Sequence, residues 1–143
     1  MPMPEAAAGL LLDTHCWVWF ACGETRRLRQ RTIESIRSAG RDSRLYLAAI
    51  SLWEVAMLAA KGRVELGREP ESWLGEAVLR TCVSVVPIDA AVAARSCAVP
   101  LFQHDPADRL IVASALSVQA ILLTSDALIH KAARRLGLKV QKP

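Results

Sequence analysis

The feature that most constrains this chain is a run of three leucines, Leu10 to Leu12, that stops at the carboxylate of Asp13 and passes directly into a helical pattern. A short apolar run of this kind is typical of a strand in a parallel sheet, which is buried on both faces. Ligands of open parallel α/β sheets bind beyond the carboxyl ends of the strands. We therefore expect an α/β fold in which Asp13 lies at the functional edge of the sheet.

The composition indicates one compact domain. The chain has 143 residues, of which 52% are hydrophobic and 22% charged, enough to bury a core and unlike the composition of disordered chains. We predict a disordered lead over 1–9 and a single domain over 10–143. No apolar run reaches the roughly 18 residues of a membrane helix, and the start lacks the basic region of a signal peptide. The sequence therefore predicts no membrane association and a cytoplasmic location.

Apolar runs alternate with helical patterns along the rest of the chain, which predicts a parallel sheet of four to five strands with helices packed against it. Pro70 and Pro106 fit the first turns of helices, and Gly137 fits a helix end. Thr14 fits the cap of the first helix. The predicted strands cover 10–12, 45–50, 83–87, 120–123 and 138–141, and the predicted helices cover 14–21, 52–60, 90–98 and 126–136, with others through an arginine-rich segment and from the two prolines.

Five acids fall where predicted strands end or predicted helices begin: Asp13, Glu54, Asp105, Asp108 and Asp126. In a parallel sheet, strand ends and the starts of the following helices share one edge, so these carboxylates are expected to converge. Singly, each has an ordinary explanation, because an acid on a first helical turn stabilises the helix dipole by about 0.3 to 1 kcal/mol. Glu54 also completes an S-x-x-E capping box with Ser51, which places it on a first turn.

Together, the five acids predict a metal site. Carboxylates held close together repel, and one of them must keep a proton unless a cation is present. An all-oxygen set without His or Cys at ligand spacing selects Mg²⁺ or Mn²⁺ over zinc. His15 and His104 adjoin acids, and we assign them orienting or substrate roles rather than metal ligation. Because such a metal polarises phosphoryl oxygens and activates water, the acids predict phosphodiester hydrolysis.

Other chemistries fit the sequence less well. It has no Walker loop, no dinucleotide fingerprint and no Ser-His-Asp order, which argues against kinases, nucleotide-cofactor enzymes and serine hydrolases. A phosphatase with Asp13 as nucleophile is disfavoured, because His15 stands where that chemistry commonly has a second Asp. The site residues therefore indicate a nuclease.

Basic charge is concentrated in one segment. The formal net charge is +4, and the stretch from Arg26 to Arg44 holds seven arginines against two acids. Apolar residues at helical spacing make it an amphipathic helix that ends near Gly40. Two interpretations remain open, a solvated helix face and a phosphate-binding face, for which a guanidinium is well suited. The candidate phosphate contacts are Arg26, Arg27 and Arg29.

The four cysteines, Cys16, Cys22, Cys82 and Cys97, show no metal-ligand spacing. Their neighbours are apolar or helical. We expect free thiols that pack as small hydrophobic residues, and neither zinc ligands nor disulfides.

Five motifs together resemble the PIN-domain ribonucleases, and within them the VapC-like toxins of bacterial toxin–antitoxin pairs. They are Leu-Leu-Leu-Asp-Thr-His at 10–15, Ser-Leu-Trp-Glu-Val-Ala at 51–56, Lys-Gly-Arg-Val-Glu-Leu at 61–66, His-Asp-Pro-Ala-Asp-Arg-Leu-Ile at 104–111 and Leu-Thr-Ser-Asp at 123–126. These motifs follow the family's order over nearly the whole chain from Leu10 onward. The family has an aromatic residue where this chain has Ala107, a departure that leaves both neighbouring acids in place.

The resemblance implies a three-layer α/β/α fold with a parallel sheet and an endoribonuclease that depends on Mg²⁺ or Mn²⁺. It implies an acidic cluster in which Asp105 ranks below Asp108 as a ligand, while Thr124 and Ser125 hold a metal-bound water. Arg109 is implied to contact phosphate or to pair with a helix carboxylate. The residues of the implied cluster are Asp13, Glu54, Asp108 and Asp126.

The resemblance also implies partners. VapC-like toxins form homodimers, or hetero-oligomers with a VapB-like antitoxin that inserts a segment into the cleft and carries the DNA-binding domain. Contact with DNA is therefore expected only through the antitoxin, and the substrate is expected to be single-stranded or loop RNA. The alternative is a non-catalytic PIN-fold module that binds RNA or a partner and uses its acids only as helix caps.

Overall fold

The leucine run forms the central strand of the sheet. In the computed structural model, which describes residues 7–100 and 105–143, the strands are β1 (Leu10–Leu12), β2 (Leu45–Ala48), β3 (Ser84–Val86), β4 (Ile121–Leu123) and β5 (Val140–Gln141). They form one parallel sheet in the order β3-β2-β1-β4-β5, with Leu12 level with Leu47 on one side and Leu123 on the other. The predicted parallel sheet is confirmed, with five strands.

Seven α-helices connect and flank the described strands. They are α1 (Thr14–Ala21), α2 (Gln30–Arg41), α3 (Ala49–Ala60), α4 (Pro70–Thr81), α5 (Ala90–Ala98), α6 (Pro106–Ser117) and α7 (Ala127–Leu136), with a 3₁₀ turn at Thr25–Arg27 between the first two. The longest of them have 12 residues, and in the described part of the chain none is long and apolar enough to cross a membrane. His104 and most of the predicted lead over 1–9 lie outside the described residues.

Alternate leucines of β1 face opposite layers of helices. Leu10 and Leu12 pack in a core with residues of α1, α2 and α4, whereas Leu11 packs with α5, α6 and α7. In the first core the indole of Trp17 donates to Thr81 Oγ1 at 3.0 Å, so its only polar atom is satisfied where the ring is fully buried. Two apolar cores on the two faces of one sheet make the predicted three-layer fold.

The strand order reverses beside β1. From β1 the chain moves to β2 and β3 on one side, and it returns to β4 and β5 on the other. The carboxyl ends of β1 and β4 therefore flank the topological switch point, the crevice where parallel α/β sheets bind ligands. Asp13 and the Thr124–Asp126 segment directly follow these two strands.

The start of α3 differs from the prediction. The strand predicted over 45–50 ends at Ala48, and the helix begins at Ala49 with no side-chain cap. Glu54 therefore lies on the second turn, and the capping box proposed for Ser51 and Glu54 is wrong. The physical reason is that Ala48 to Ile50 are apolar without Gly, Pro or a capping residue, so the sequence does not mark where strand becomes helix.

Three further local predictions need correction. The cap of α1 is Asp13 rather than Thr14. The arginine-rich helix begins only at Gln30, and Arg26 and Arg27 belong to the 3₁₀ turn.

The third correction concerns the cysteines. All four are free thiols, as predicted, but only Cys16 is buried. Burial raises the pKa of Cys16 to about 12, with a smaller contribution from the charge of Asp13. Cys22, Cys82 and Cys97 are exposed, because short apolar neighbours in the sequence do not fix the direction of a side chain.

Candidate functional site

Asp13 is held at the switch point by contacts on both of its carboxylate oxygens. Oδ1 accepts a hydrogen bond from the Thr14 amide at 2.8 Å, and Oδ2 accepts one from the Thr124 hydroxyl at 2.6 Å. The Asp13 amide donates to the carbonyl oxygen of Leu123 at 2.9 Å, which ties the end of β1 to the end of β4. Asp13 is thus fixed by the same strand pairing that creates the crevice.

Thr124 connects two of the predicted site acids. Its side chain is fully buried, and its hydroxyl both donates to Asp13 and accepts from the Asp126 amide at 3.1 Å. Its carbonyl oxygen lies 2.7 Å from Nε2 of His130. The Thr124 hydroxyl is thus buried and bonded to two other site groups, whereas the neighbouring Ser125 is exposed.

Asp126 caps α7. Its Oδ1 accepts hydrogen bonds from the amides of Leu128 at 2.9 Å and Ile129 at 3.0 Å. The carboxylate thereby meets the positive end of the helix dipole. Asp126 thus caps α7 and also lies at the switch point.

Glu54 reaches the same edge from α3 through a contact with Thr14. The Thr14 hydroxyl lies 2.6 Å from Glu54 Oε1 and 2.8 Å from the Ser51 hydroxyl, and both Thr14 and Ser51 are buried. One hydroxyl has one proton, and a carboxylate is the stronger acceptor, so Thr14 donates to Glu54 while Ser51 donates to Thr14. Neither residue was predicted to have this role, and no local sequence pattern shows it.

The environment of Glu54 raises the pKa of its carboxyl group. Burial raises the pKa of Glu54 above its ordinary value; the hydrogen bond from Thr14 opposes this, the charges of Asp13 and Asp105 add to it, and His15 opposes it. These interactions show that the charges of Asp13, Asp105 and His15 reach Glu54. The site couples residues of α1, α3 and the start of α6.

Asp105 and Asp108 form the remaining part of the edge. Asp105 is the exposed cap of α6 and accepts a hydrogen bond from the Asp108 amide at 3.1 Å. Burial raises the pKa of Asp108 to about 7, and further contributions come from the charges of the other acids, in decreasing order Asp105, Asp13, Glu54 and Asp126. The charge of each of the other four predicted acids therefore acts on Asp108.

A divalent cation fits the chemistry of this edge. It would compensate the repulsion that, after burial, raises the pKa of Asp108, and carboxylate oxygens are the ligands that Mg²⁺ and Mn²⁺ prefer. Within residues 7–100 and 105–143, no three acidic, histidine or cysteine side chains stand close enough to share one ion without moving. Ion binding thus requires rotation of exposed carboxylates such as Asp105, or water in part of the coordination shell.

The structure does not bring all the predicted substrate contacts to the acids. Arg26, Arg27 and Arg29 are exposed and follow the far end of α1, one helix length from Asp13. Arg109 is half-buried on α6, beside Asp108. Ser125 remains exposed next to Asp126.

Comparison with known proteins agrees with this fold. The family model of the PIN domain matches residues 10–135. The chain is 39% identical over 118 residues to Ribonuclease VapC22 of Mycobacterium tuberculosis, which covers 82% of this chain and 86% of that protein. The chain belongs to the PIN-domain family, and the resemblance drawn from its five motifs is confirmed.

Two solved structures share the fold at low sequence identity. The crystal structure of VapBC2 from Rickettsia felis bound to a DNA fragment from their promoter matches with a TM-score of 0.70 and 16% identity, over 94% of this chain and 98% of that one. The crystal structure of DNA-bound VapBC from Salmonella typhimurium matches with a TM-score of 0.63 and 18% identity, over 95% and 98%. These matches confirm the three-layer fold.

Proposed function

We propose that this chain is a VapC-type ribonuclease toxin that cleaves single-stranded or loop RNA with the help of Mg²⁺ or Mn²⁺. The observation that carries the proposal is the group of acids around Asp108, whose pKa is raised first by burial and then by the charges of Asp105, Asp13, Glu54 and Asp126. The similarity to a ribonuclease over 82% of the chain supports RNA as the substrate. Nucleases of this family generally depend on a divalent metal.

The proposed ligands are Asp13, Glu54, Asp108 and Asp126, with Asp105 as a fifth candidate. When bound, the metal would polarise the phosphoryl oxygen, lower the pKa of a water and compensate charge on the leaving oxygen. Asp13 suits the main ligand position, because hydrogen bonds to both of its oxygens fix its orientation. Asp108 would be a further ligand, and a metal ion there would compete with the proton of its carboxyl group.

The other buried polar groups hold these acids in place. Thr124 orients Asp13 and, through the Asp126 amide, the start of α7. Thr14 and Ser51 orient Glu54. Held by Thr14, the Glu54 carboxylate is suited to accept a proton from the attacking water as the water oxygen bonds to phosphorus. The leaving ribose oxygen departs with the electron pair of its bond to phosphorus and takes up a proton from solvent.

The proposed partners follow from the same relatives. The fold neighbours are solved as VapBC complexes on DNA, which supports a VapB-like antitoxin as partner and DNA contact through that antitoxin. We propose assembly as a homodimer or as a toxin–antitoxin hetero-oligomer. A cytoplasmic location remains a prediction, in keeping with cellular RNA as the substrate.

The experiment incubates total cellular RNA with the purified chain, freed of any copurified partner, in Mn²⁺ or in EDTA. We expect discrete fragments in Mn²⁺ alone, and the mapped cut sites would identify the target. An Asp13→Asn preparation, purified in parallel, controls for contaminating nucleases. Binding of RNA without cleavage in Mn²⁺ would favour the alternative, a non-catalytic PIN-fold module.

A further inference from the structure

Helix α1 carries an exposed ring stack that begins beside the acids. The ring of His15 stacks on that of Trp19, one turn further on, with centroids 6.2 Å apart and planes inclined by 19°. The guanidinium of Arg27 lies over the Trp19 ring, 5.2 Å from its centroid. We call these residues, His15, Trp19 and Arg27, the α1 stack.

The site end of the α1 stack is His15. It lies on the first turn of α1, two residues after Asp13, and its side chain is exposed. Because α1 begins at the residue after Asp13, this first-turn side chain lies near the acids at the switch point. A group bound against the outer side of this ring would therefore lie next to the proposed reaction centre.

Trp19 gives His15 a rigid backing. Its side chain is half-buried and packs against the core between the sheet, α1, α2 and α4. A ring fixed in this way loses little freedom when a ligand stacks upon its neighbour. The two rings of the α1 stack, His15 and Trp19, therefore form a preformed surface.

The far end of the α1 stack is basic. Arg27 pairs with Glu24 at 3.7 Å, but both side chains are more than half exposed, so this ion pair contributes little and leaves the guanidinium accessible. Arg26 and Arg29 are exposed beside it. The eight residues of α1 span about 12 Å. The two rings and then the arginines therefore follow one another away from the acids over a distance that a few nucleotides of RNA can span.

We propose that the α1 stack is the binding track for the single-stranded RNA that flanks the cut site, with one unpaired base on His15 and the phosphates beyond it on Arg27 and its neighbours. Proteins hold single strands with two elements, aromatic rings and basic side chains. The rings stack on the π face that every base has, and the basic side chains bind the phosphate of each nucleotide. The inference rests on the proposed function for its substrate. It adds a surface for that substrate which the acids alone do not supply.

The test measures binding of a short, fluorescently labelled single-stranded RNA to the full chain in EDTA, so that no cleavage occurs. His15→Ala should weaken binding roughly tenfold, and His15→Phe, which keeps a ring without its nitrogens, should restore it. Arg27→Ala should weaken binding and reduce the dependence on salt by about one counterion. Arg134→Ala, an exposed arginine near the end of α7, is the matched control and should bind as the wild type does.

Several results would overturn the inference. They are wild-type binding by His15→Ala, failure of His15→Phe to restore affinity, or no binding of the single strand by the wild type. A His15→Ala chain that binds RNA normally but loses its antitoxin would make the α1 stack a protein-docking surface instead. Parallel cleavage assays separate the two proposals. If His15→Ala weakens binding but the wild type does not cleave RNA in Mn²⁺, the nuclease is rejected and the binding track is kept. If the wild type cleaves and His15→Ala cleaves with unchanged KM, the binding track is rejected and the nuclease is kept.

Discussion

The hydroxyl of Thr14 lies 2.6 Å from Oε1 of Glu54, a contact between residues 40 positions apart in the chain. Thr14 directly follows Asp13, so one strand end supplies an acid and also the group that orients a second acid. Ser51 completes the arrangement from the helix that carries Glu54. The position of Glu54 thus depends on the packing of α1 against α3.

Removal of the Thr14 hydroxyl tests this dependence. Thr14→Val keeps the shape but leaves the half-buried Glu54 without its donor, which we expect to cost about 1 to 3 kcal/mol of folding stability at neutral pH. Cleavage should also slow, since Glu54 is no longer held. Denaturant unfolding and cleavage rates measure the two effects. Thr14→Ser retains a hydroxyl and should resemble the wild type; equal losses in both variants would contradict the assigned contact.

Thr124→Val removes the hydroxyl that joins Asp13 to the Asp126 amide. We expect a drop in kcat of about tenfold or more, because Asp13 loses a hydrogen bond that fixes its orientation. KM should change little, since the buried side chain cannot reach RNA. Steady-state cleavage separates the two parameters. An effect on KM alone would instead support a substrate role for Thr124.

Stability should depend on pH through Asp108. Its pKa rises from an ordinary 3.8 to about 7 on folding, so the folded state favours the protonated form. Stability from this group is fully present below pH 3.8 and is lost as the pH rises through about 7. In EDTA, Asp108→Asn should therefore be the more stable protein above pH 7, by about 1 to 2 kcal/mol after allowance for solvent screening. Unfolding curves across this range provide the measurement, and a stability difference that does not vary with pH would contradict the shift.

The affinity for the metal should also depend on the protonation of Asp108. Mn²⁺ or Mg²⁺ stabilises the folded state by mass action, and it must displace the proton of Asp108 to bind there. The rise in Tm on adding either ion should thus be larger at pH 8 than at pH 6. Calorimetry or thermal melts of the wild type provide the measurement. Equal shifts at both pH values would remove Asp108 from the ligand set.

The sequence predicts those parts of the fold that have local markers. Three leucines before Asp13 mark β1, Pro106 marks the start of α6, and Gly137 marks the end of α7, whose cap residue has positive φ. The start of α3 has no such marker, and the sequence predicts it three residues later than Ala49, where the helix begins. Convergence of the acids was predictable as well, because parallel topology brings strand ends and helix starts together.

What the sequence could not show is which buried hydroxyls serve the acids. Thr124 contacts Asp13 across 111 positions, and only the pairing of β1 with β4 brings them together. The same holds for Thr14 and Glu54. The α1 stack is different, because the four-residue spacing of His15 and Trp19 places both rings on one face of a helix and was visible in the sequence.

The most direct measurement compares the rate of Mn²⁺-dependent RNA cleavage by Asp13→Asn with that by Asp89→Asn. Both aspartates follow a strand and cap a helix, but the charge of Asp89 contributes to neither of the raised carboxyl pKa values, those of Glu54 and Asp108. We expect Asp13→Asn to lose about 100-fold or more in rate, and Asp89→Asn to cleave as the wild type does. Wild-type cleavage by Asp13→Asn, or equal losses in both variants, would contradict an active site built on the acids at the switch point.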